Sequence, residues 1–575
     1  MPLNPTNTEL SQATMDDEKG LANQLTENIG QAPNAVMVEV TAEAVFSGYE
    51  VGFLKLSLIY LGIELALFMT LLESTIVSTS VITITNDVGG YVKSSWLFTS
   101  YLLTFGGFPI IWAKASDIAG RKPCLLAAMV FFLVFSGACG AAQTLVQLIM
   151  FRWLQGIGAA GIFSLALVFF ELIPPSKYAV SMSVTNTVVS LSYLTGPLVG
   201  GALTSKGEWR WIFLINIPVI AFAGVVLFLV FPKRLSREPA ANRAEESIAQ
   251  RLRRFDVLGG TMLLGITVPL TTALQQASEG FSFGSGFVWP LLLVTGFFFV
   301  GFLTWQWYAT TRRTVPEPVF PWRFLVHRAS ISIILNTFFS GCVMAACTVQ
   351  IPQRFIVLYS MNPLAAGVRL LPFALMTPVG SVCSAILLDK KLVTPNALLL
   401  IGGALQTIGV ALFATLTTSR ETLPQQYGFQ ILIGTGIGFV STATFLLVPI
   451  KMEKRDLAVG TGTVAQFRIL GGVVALAVVT CISTPHIRDA LLEAIPPEQT
   501  HAILERLEMI PSLPEDTQAH VRDSFHRGFD LQMTILIGFA AAHIPAGLVM
   551  LSKESLPEAL RPSMDNDVVA GSGRM

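Results

Sequence analysis

Charge is scarce in this sequence. Asp, Glu, Lys and Arg make up 13% of its 575 residues, while 52% are hydrophobic; a soluble domain carries ~25% charged residues. That balance excludes a water-soluble chain of this length and leaves a polytopic membrane protein. Net charge is missing too: 37 basic residues balance 37 acidic ones, so no global field points to nucleic acid. Cysteine is sparse and scattered. All six (Cys124, Cys139, Cys342, Cys347, Cys383, Cys481) fall within or at the ends of apolar segments and read as small packing hydrophobes, not as a disulfide frame or metal cluster. The first ~50 residues hold no apolar core, so no cleavable signal peptide is expected. No G-x-x-x-x-G-K-S/T loop occurs, which argues against an ATP-driven pump.

What the chain does have is long apolar segments, each near the roughly 20 residues that a helical span needs. They are expected at 55–82, 94–113, 123–142, 147–172, 179–204, 211–232, 257–275, 287–308, 330–351, 366–388, 396–417, 427–450, 458–483 and 531–552. Fourteen spans put both termini on one side of the membrane. A count of twelve needs two of them to be buried or re-entrant, and 257–275, with Gly259, Gly260 and Pro269, is the weakest.

The short loops are lopsided. One set carries Arg121, Lys122, Lys177, Lys233, Arg234, Arg237, Arg243, Arg251, Arg253, Arg254, Arg312, Arg313, Arg323, Arg328, Lys390, Lys391, Lys451, Lys454 and Arg455; the other carries Lys93, Lys206, Arg210, Arg354 and Arg420. Nineteen against five predicts cytosolic termini. The expected organisation is a disordered tail 1–53, six spans in 54–232 and a basic linker 233–256, read first as a solvated tether and second as a short amphipathic helix. Two additional spans (257–308), a cytosolic loop (309–329), six further spans (330–552) and a tail 553–575 complete it. One long outer segment, 484–530, holds His486, His501, His520 and His526, read as surface histidines on amphipathic helices.

Two strings stand out. AKASDIAGRK (113–122) is a charged turn between spans, with Gly120 for tight geometry. In it Asp117 can cap a helix or pair with a cation, and Arg121 and Lys122 supply the charge for a breakable latch. GPLVGG (196–201) sets Gly196 and Gly200 on one helix face, with Pro197 removing a donor and Gly201 following, so that a bent helix can rock against a partner. Together they imply a chain that moves a solute across a membrane and does no covalent chemistry.

Charges inside spans are the other signal. In RWLQGIGAAG (152–161), Arg152, Gln155, Gly156 and Ala159 share a face. A buried Arg costs at least ~2.5 kcal/mol, so Arg152 either faces the bundle interior or snorkels to the interface. The first span holds Glu64 and Glu73, nine residues apart and so on opposite sides at ~100° per residue. Glu73 lies in the hydroxyl-rich LLESTIVSTS and is the first candidate for proton coupling, with Glu64 the second. Arg468, in AQFRILGG, is a further buried charge, for which an ion-pair role and a transport role both stand. His543, beside Pro545, reads as a packed histidine.

At these residues the chain resembles the major facilitator superfamily, in particular its fourteen-span drug:proton antiporters and their fungal branch, from about 54 to 552. AKASDIAGRK resembles G-x-x-x-D-x-x-G-R-K/R, with Ala113 for the first Gly; SYLTGPLVGG resembles the fifth-span antiporter motif, with Ser192 for a Gly. LLESTIVSTS resembles L-D-x-T-I-V, with Glu73 for Asp, and RWLQGIGAAG and WRWIFLINIP (209–218) add the fourth- and sixth-span patterns. The resemblance implies an all-α fold of two six-helix bundles plus two extra spans, rocking about a central cavity. It also implies a monomer whose partners are the lipid bilayer, protons and a small-molecule substrate, with no cofactor beyond the proton gradient. Export of amphipathic drugs, toxins or secondary metabolites is the expected activity, at the plasma membrane first and the vacuolar membrane second. Import or sequestration of siderophores or basic amino acids is the alternative, and the Phe-rich spans suit a mostly uncharged substrate.

Overall fold

The computed structural model describes Phe53 to Met550, apart from residues 78–79, 89–94, 170–177, 205–206, 232–252, 279–280, 282, 313–315, 362, 391, 417–422, 454–455, 494, 497–498 and 501–512. The tail 1–53 as far as residue 52, the tail 553–575, and the linker as far as residue 252 therefore lie outside the described residues.

Helices account for every regular element among the described residues, beyond one isolated bridge between Phe255 and Glu317. In chain order the first half contains α1 (Phe53–Ile76), α2 (Val81–Val88), α3 (Ser95–Gly107), α4 (Pro109–Ala119), α5 (Arg121–Ala141), α6 (Leu145–Val168), α7 (Tyr178–Thr204), α8 (Trp211–Leu214) and α9 (Asn216–Val230). Two additional helices, α10 (Val257–Ser278) and α11 (Val288–Arg312), lead through α12 (Arg323–Val326) to the second half. That half contains α13 (Arg328–Tyr359), α14 (Pro363–Val368), α15 (Leu371–Asp389), α16 (Pro395–Ala414), α17 (Gln425–Lys451), α18 (Leu457–Leu492), α19 (Glu515–Ala541) and α20 (His543–Leu548).

Among the described residues, twelve helices are long and apolar enough to cross a bilayer. Two expected spans are not among them. The segment 94–113 is broken: Pro109 has no amide hydrogen to continue the ladder, so α3 ends at Gly107 and α4 begins at Pro109. Ser164 on α6 donates to the Pro109 carbonyl at 2.8 Å and steadies the break. The segment 179–204 is one helix, α7, rich in Ser, Thr and Gly, which lower its hydropathy. By contrast α10, with Gly259, Gly260 and Pro269, runs unbroken and qualifies as a span.

Within the first half α5 packs on α6, α3 on α6, and α1 on α7 and α9; within the second, α17 packs on α15 and α16, and α13 on α18. The halves meet where α18 crosses α4 and α6 and where α15 crosses α7. Two hydrogen bonds join them among the described residues: the Ile110 amide to Gln466 Oε1 (3.2 Å) and Asn186 Nδ2 to Ser381 Oγ (2.6 Å). Gly462 lies against Ala113, and Ala113, Val168 and Ala458 form a small buried cluster. All these contacts lie in the part of the bundle nearer the basic loops, so the seam is shut there.

α10 and α11 pair with each other, Gly265 seating the Phe298 ring, and α10 alone leans on α3 and α18. α11 exposes Leu293, Phe297, Val300 and Trp307, an apolar surface suited to acyl chains. At the opposite end from the basic loops, α18 runs on to Leu492 and α19 begins at Glu515, so the expected outer segment is largely an extension of its two neighbours. There Val357, Leu358, Ile487, Leu491, Val521 and Phe525 form a second core.

Candidate functional site

Glu73 sits on the last turn of α1 with its side chain fully enclosed. Arg152, on α6, is equally enclosed and donates from Nη1 to Glu73 Oε1 at 2.5 Å. Asn216, at the start of α9, donates to the other carboxylate oxygen at 2.6 Å. Arg152 also donates to Gln155 Oε1 (2.9 Å) and to the Leu97 carbonyl (3.1 Å), and its guanidinium lies 4.3 Å over the Tyr101 ring. Gln155 passes the chain on to Ser136 Oγ at 2.7 Å, and Tyr101 anchors itself on the Thr70 carbonyl at 2.7 Å. Enclosure disposes of the snorkelling alternative for Arg152: its charge is matched inside the bundle, as a buried Arg requires.

The close approach of α3 to α6 that permits this network depends on Gly156. A β-carbon there would meet the Thr104 hydroxyl and, at 2.5 Å, the Tyr101 carbonyl. Thr104 uses the space to donate to the Trp153 carbonyl at 2.7 Å.

Glu64 points the other way, toward α7, as nine residues of helix require. It accepts a hydrogen bond from Thr185, and the Tyr60 hydroxyl lies beside them, 3.3 Å from Thr185 Oγ1 and donating to the Ser181 carbonyl at 2.7 Å. The second carboxylate oxygen of Glu64 is buried and has no hydrogen-bond partner among the described residues. The two carboxylates of α1 thus differ in kind: one is matched by a cation, the other only by hydroxyls.

At the basic end, Gly120 has φ +99°, a conformation open to Gly and closed to most residues, and it forms the corner between α4 and α5. Asp117 is half-buried on α4 and Arg121 is buried at the start of α5. Lys122 donates to the carbonyls of Phe228 and Phe231, each at 2.9 Å, and so caps the end of α9. An ion pair across this region involves a residue that the latch reading did not name. Lys114, buried on α4, donates at 2.6 Å to Glu317, which also takes Arg254.

Glu317 belongs to the segment between α11 and α13. Its burial raises the carboxyl, but the charges and hydrogen bonds of Lys114 and Arg254 outweigh that and hold it at about 2. Asp256 moors the segment: it accepts from Trp305 Nε1 (2.8 Å), Gln306 Nε2 (3.1 Å), the Gly259 amide (2.8 Å) and the Val319 amide (3.3 Å). Farther along, Arg323 pairs with Asp456 at the start of α18, and Phe320 packs on Phe467 of that helix. One short stretch therefore holds the first half through Lys114 and the second through Asp456.

On α7, Gly196 presses on Thr75 of α1, with the Ile76 amide 3.1 Å from where its β-carbon would stand. Gly200 is buried, whereas Gly201 has open space beside it. The side chain of Pro197 lies outside the described residues. Ser192 is buried and donates to the Val188 carbonyl at 2.5 Å. Arg468 is half-buried on α18, with Met344 Sδ 3.0 Å from its Nη2. His543 packs as expected, 3.0 Å from Asn336 Oδ1 and edge-on to Phe339. His486 and His520 are exposed, but His526 is buried 3.2 Å from Asp530, which also faces Arg354. All six cysteines are free, four of them buried.

The Major Facilitator Superfamily model matches residues 63–476. Over 577 residues, 98% of this chain and 96% of the relative, the sequence is 34% identical to the MFS-type transporter FPY5 of Fusarium mangiferae. It is 29% identical over 479 residues to the MFS thioclapurine efflux transporter tcpA of Claviceps purpurea (strain 20.1), covering 83% of this chain and 86% of that one. It is 28% identical over 447 residues to the probable efflux pump gsfJ of Penicillium aethiopicum, covering 77% of each.

Proposed function

This chain belongs to the Major Facilitator Superfamily, and on that footing we propose that it is a proton-coupled exporter of amphipathic organic compounds working by alternating access. The observation that carries the reading is the enclosed Glu73–Arg152 pair, with partners on α1, α3, α5, α6 and α9. Protonating Glu73 removes the counter-charge of a guanidinium that has no water to turn to. In a low-dielectric interior that is expensive, so the network must repack. A proton then biases the whole first half between two arrangements, which is what coupling demands.

The shut seam near the basic loops supplies the other half of the cycle. With the basic loops in the cytosol, the molecule stands closed inward, held by Lys114–Glu317 and Arg323–Asp456. Two of the relatives are named for efflux, which supports the outward direction and a plasma-membrane location. The proton exchanges at Glu73, with Glu64 as an accessory carboxylate.

The test begins with a growth-inhibition screen of a pump-deficient yeast host expressing the chain. A protecting compound is then loaded into reconstituted vesicles, and its movement is followed under an imposed pH gradient with and without a protonophore. Movement that ignores the gradient, or a screen in which no compound protects, removes the proposal.

A further inference from the structure

Arg468, half-buried, differs from the buried arginines of the bundle. Arg152 has Glu73, and Arg354 faces Asp530 at 3.6 Å. No carboxylate pairs with Arg468 among the described residues; its hydrogen-bonding contact is the sulfur of Met344, a weak acceptor.

Its position makes that lack costly. Arg468 lies 11 residues after Leu457, the start of α18, or about 16 Å along the axis and so near the bilayer midplane. Gln466 and Gly462, two and six residues nearer the basic end, are in the closed seam against α4. Arg468 thus lies just beyond the seal. The Gly341 backbone of α13 packs directly on the backbone of Arg468, while Tyr193 of α7, from the opposite half, lies within electrostatic reach of the guanidinium. Tyr193 is in turn within reach of Tyr101, whose ring carries Arg152. The part of Arg468 that remains accessible therefore faces the interior between the halves, since a guanidinium turned to lipid at this depth is strongly disfavoured.

A fixed, uncompensated positive charge at the floor of that interior, among apolar and aromatic side chains, is a site for an anion with an apolar body. We propose that Arg468 anchors the transported compound and that this compound is an amphipathic organic acid, held through its carboxylate. The inference rests on the exporter reading for the word transported, and it replaces the mostly uncharged substrate that composition alone suggests. Tyr193, half-buried across the seam, is placed to add a hydroxyl contact.

The experiment measures binding, so that it stands apart from transport. The full chain in lipid nanodiscs is titrated with 1-pyrenebutyrate and with its methyl ester, which share the apolar body. The wild type is expected to bind the acid about ten- to a hundredfold more tightly, the value of a charge-assisted contact. Arg468→Gln levels the two, and Arg468→Lys keeps part of the preference because it keeps the charge. Wild type without preference, absence of binding included, overturns the proposal, as does a full preference in Arg468→Gln. Retained ester binding in Arg468→Gln certifies that the variant is folded; if it binds neither probe, the Arg468→Lys result decides alone. Preferential acid binding with no gradient-driven movement would leave this site standing and remove the exporter reading.

Discussion

Arg152 and Glu73 meet at 2.5 Å with neither side chain reachable by solvent, although they lie on different helices, 79 residues apart. Such a pair is weak evidence for stability but strong evidence for interdependence, because either charge left alone is the costly species.

Arg152→Ala is accordingly expected to destabilise the fold by about 3–5 kcal/mol, read as a lower unfolding midpoint in detergent. Glu73→Gln keeps the shape and the acceptor toward Arg152, and its NH2 needs only a turn of the Asn216 amide to find an oxygen, so it inserts and binds substrate but loses gradient-driven efflux by more than tenfold. The double variant Glu73→Gln/Arg152→Gln is expected to be more stable than Arg152→Gln plus Glu73→Gln predicts by addition. Intact coupling in Glu73→Gln transfers the role to Glu64.

Glu317 gives a prediction with a definite sign. Its carboxyl is held down at about 2, so the Lys114 clamp is fully present above the ordinary carboxylate range and is lost only as pH falls through about 2. Between pH 5 and 8 it does not titrate. Glu317→Gln is therefore expected to raise the labelling of a cysteine placed near Ala113 from the cytosolic side, several-fold, without moving the pH profile of transport. Lys114→Glu has the same effect, and Lys114→Glu combined with Glu317→Lys restores the wild-type pattern. A shifted pH profile in Glu317→Gln counts against this assignment.

The glycines of α7 separate packing from mere small-residue composition. Gly196→Leu must displace Thr75 and the end of α1, two turns of chain that include Glu73, and is expected to abolish efflux while inserting normally. Gly201→Ala enters open space and is expected to stay within twofold of wild type. Equal behaviour of the two in matched vesicles refutes a mechanical role for this face.

Gly120→Ala forces a β-carbon onto a backbone at φ +99°, at a cost of roughly 1–3 kcal/mol. The expected result is a lower unfolding midpoint with the substrate preference unchanged, measured side by side with Asp117→Asn.

The sequence reveals the site unevenly, and the reasons are physical. Glu73, Arg152 and Gln155 are conspicuous because a charge in an apolar run must be matched, so naming them nearly names the network. Asn216 was on view in WRWIFLINIP but is one polar residue in a helix start, where a cap explains it equally well. Lys114 and Glu317 were hidden by sequence distance, since 203 residues separate them. Hydropathy likewise blurred the second span, where a single proline splits one apolar run into α3 and α4. For Arg468 the decisive fact is the absence of a carboxylate beside it among the described residues. Only coordinates supply that.

The mooring of the segment after α11 has a consequence for leakiness. Glu317 and Arg323 are six residues apart on one stretch fixed by Asp256, and they hold opposite halves. On the alternating-access reading proposed above, releasing one half is expected to strain the grip on the other, so that both let go together. On the same reading, a seam parted on one side only is expected to be short-lived, so that few protons slip through unaccompanied. The two additional helices are thereby expected to make the proposed opening all-or-none instead of gradual.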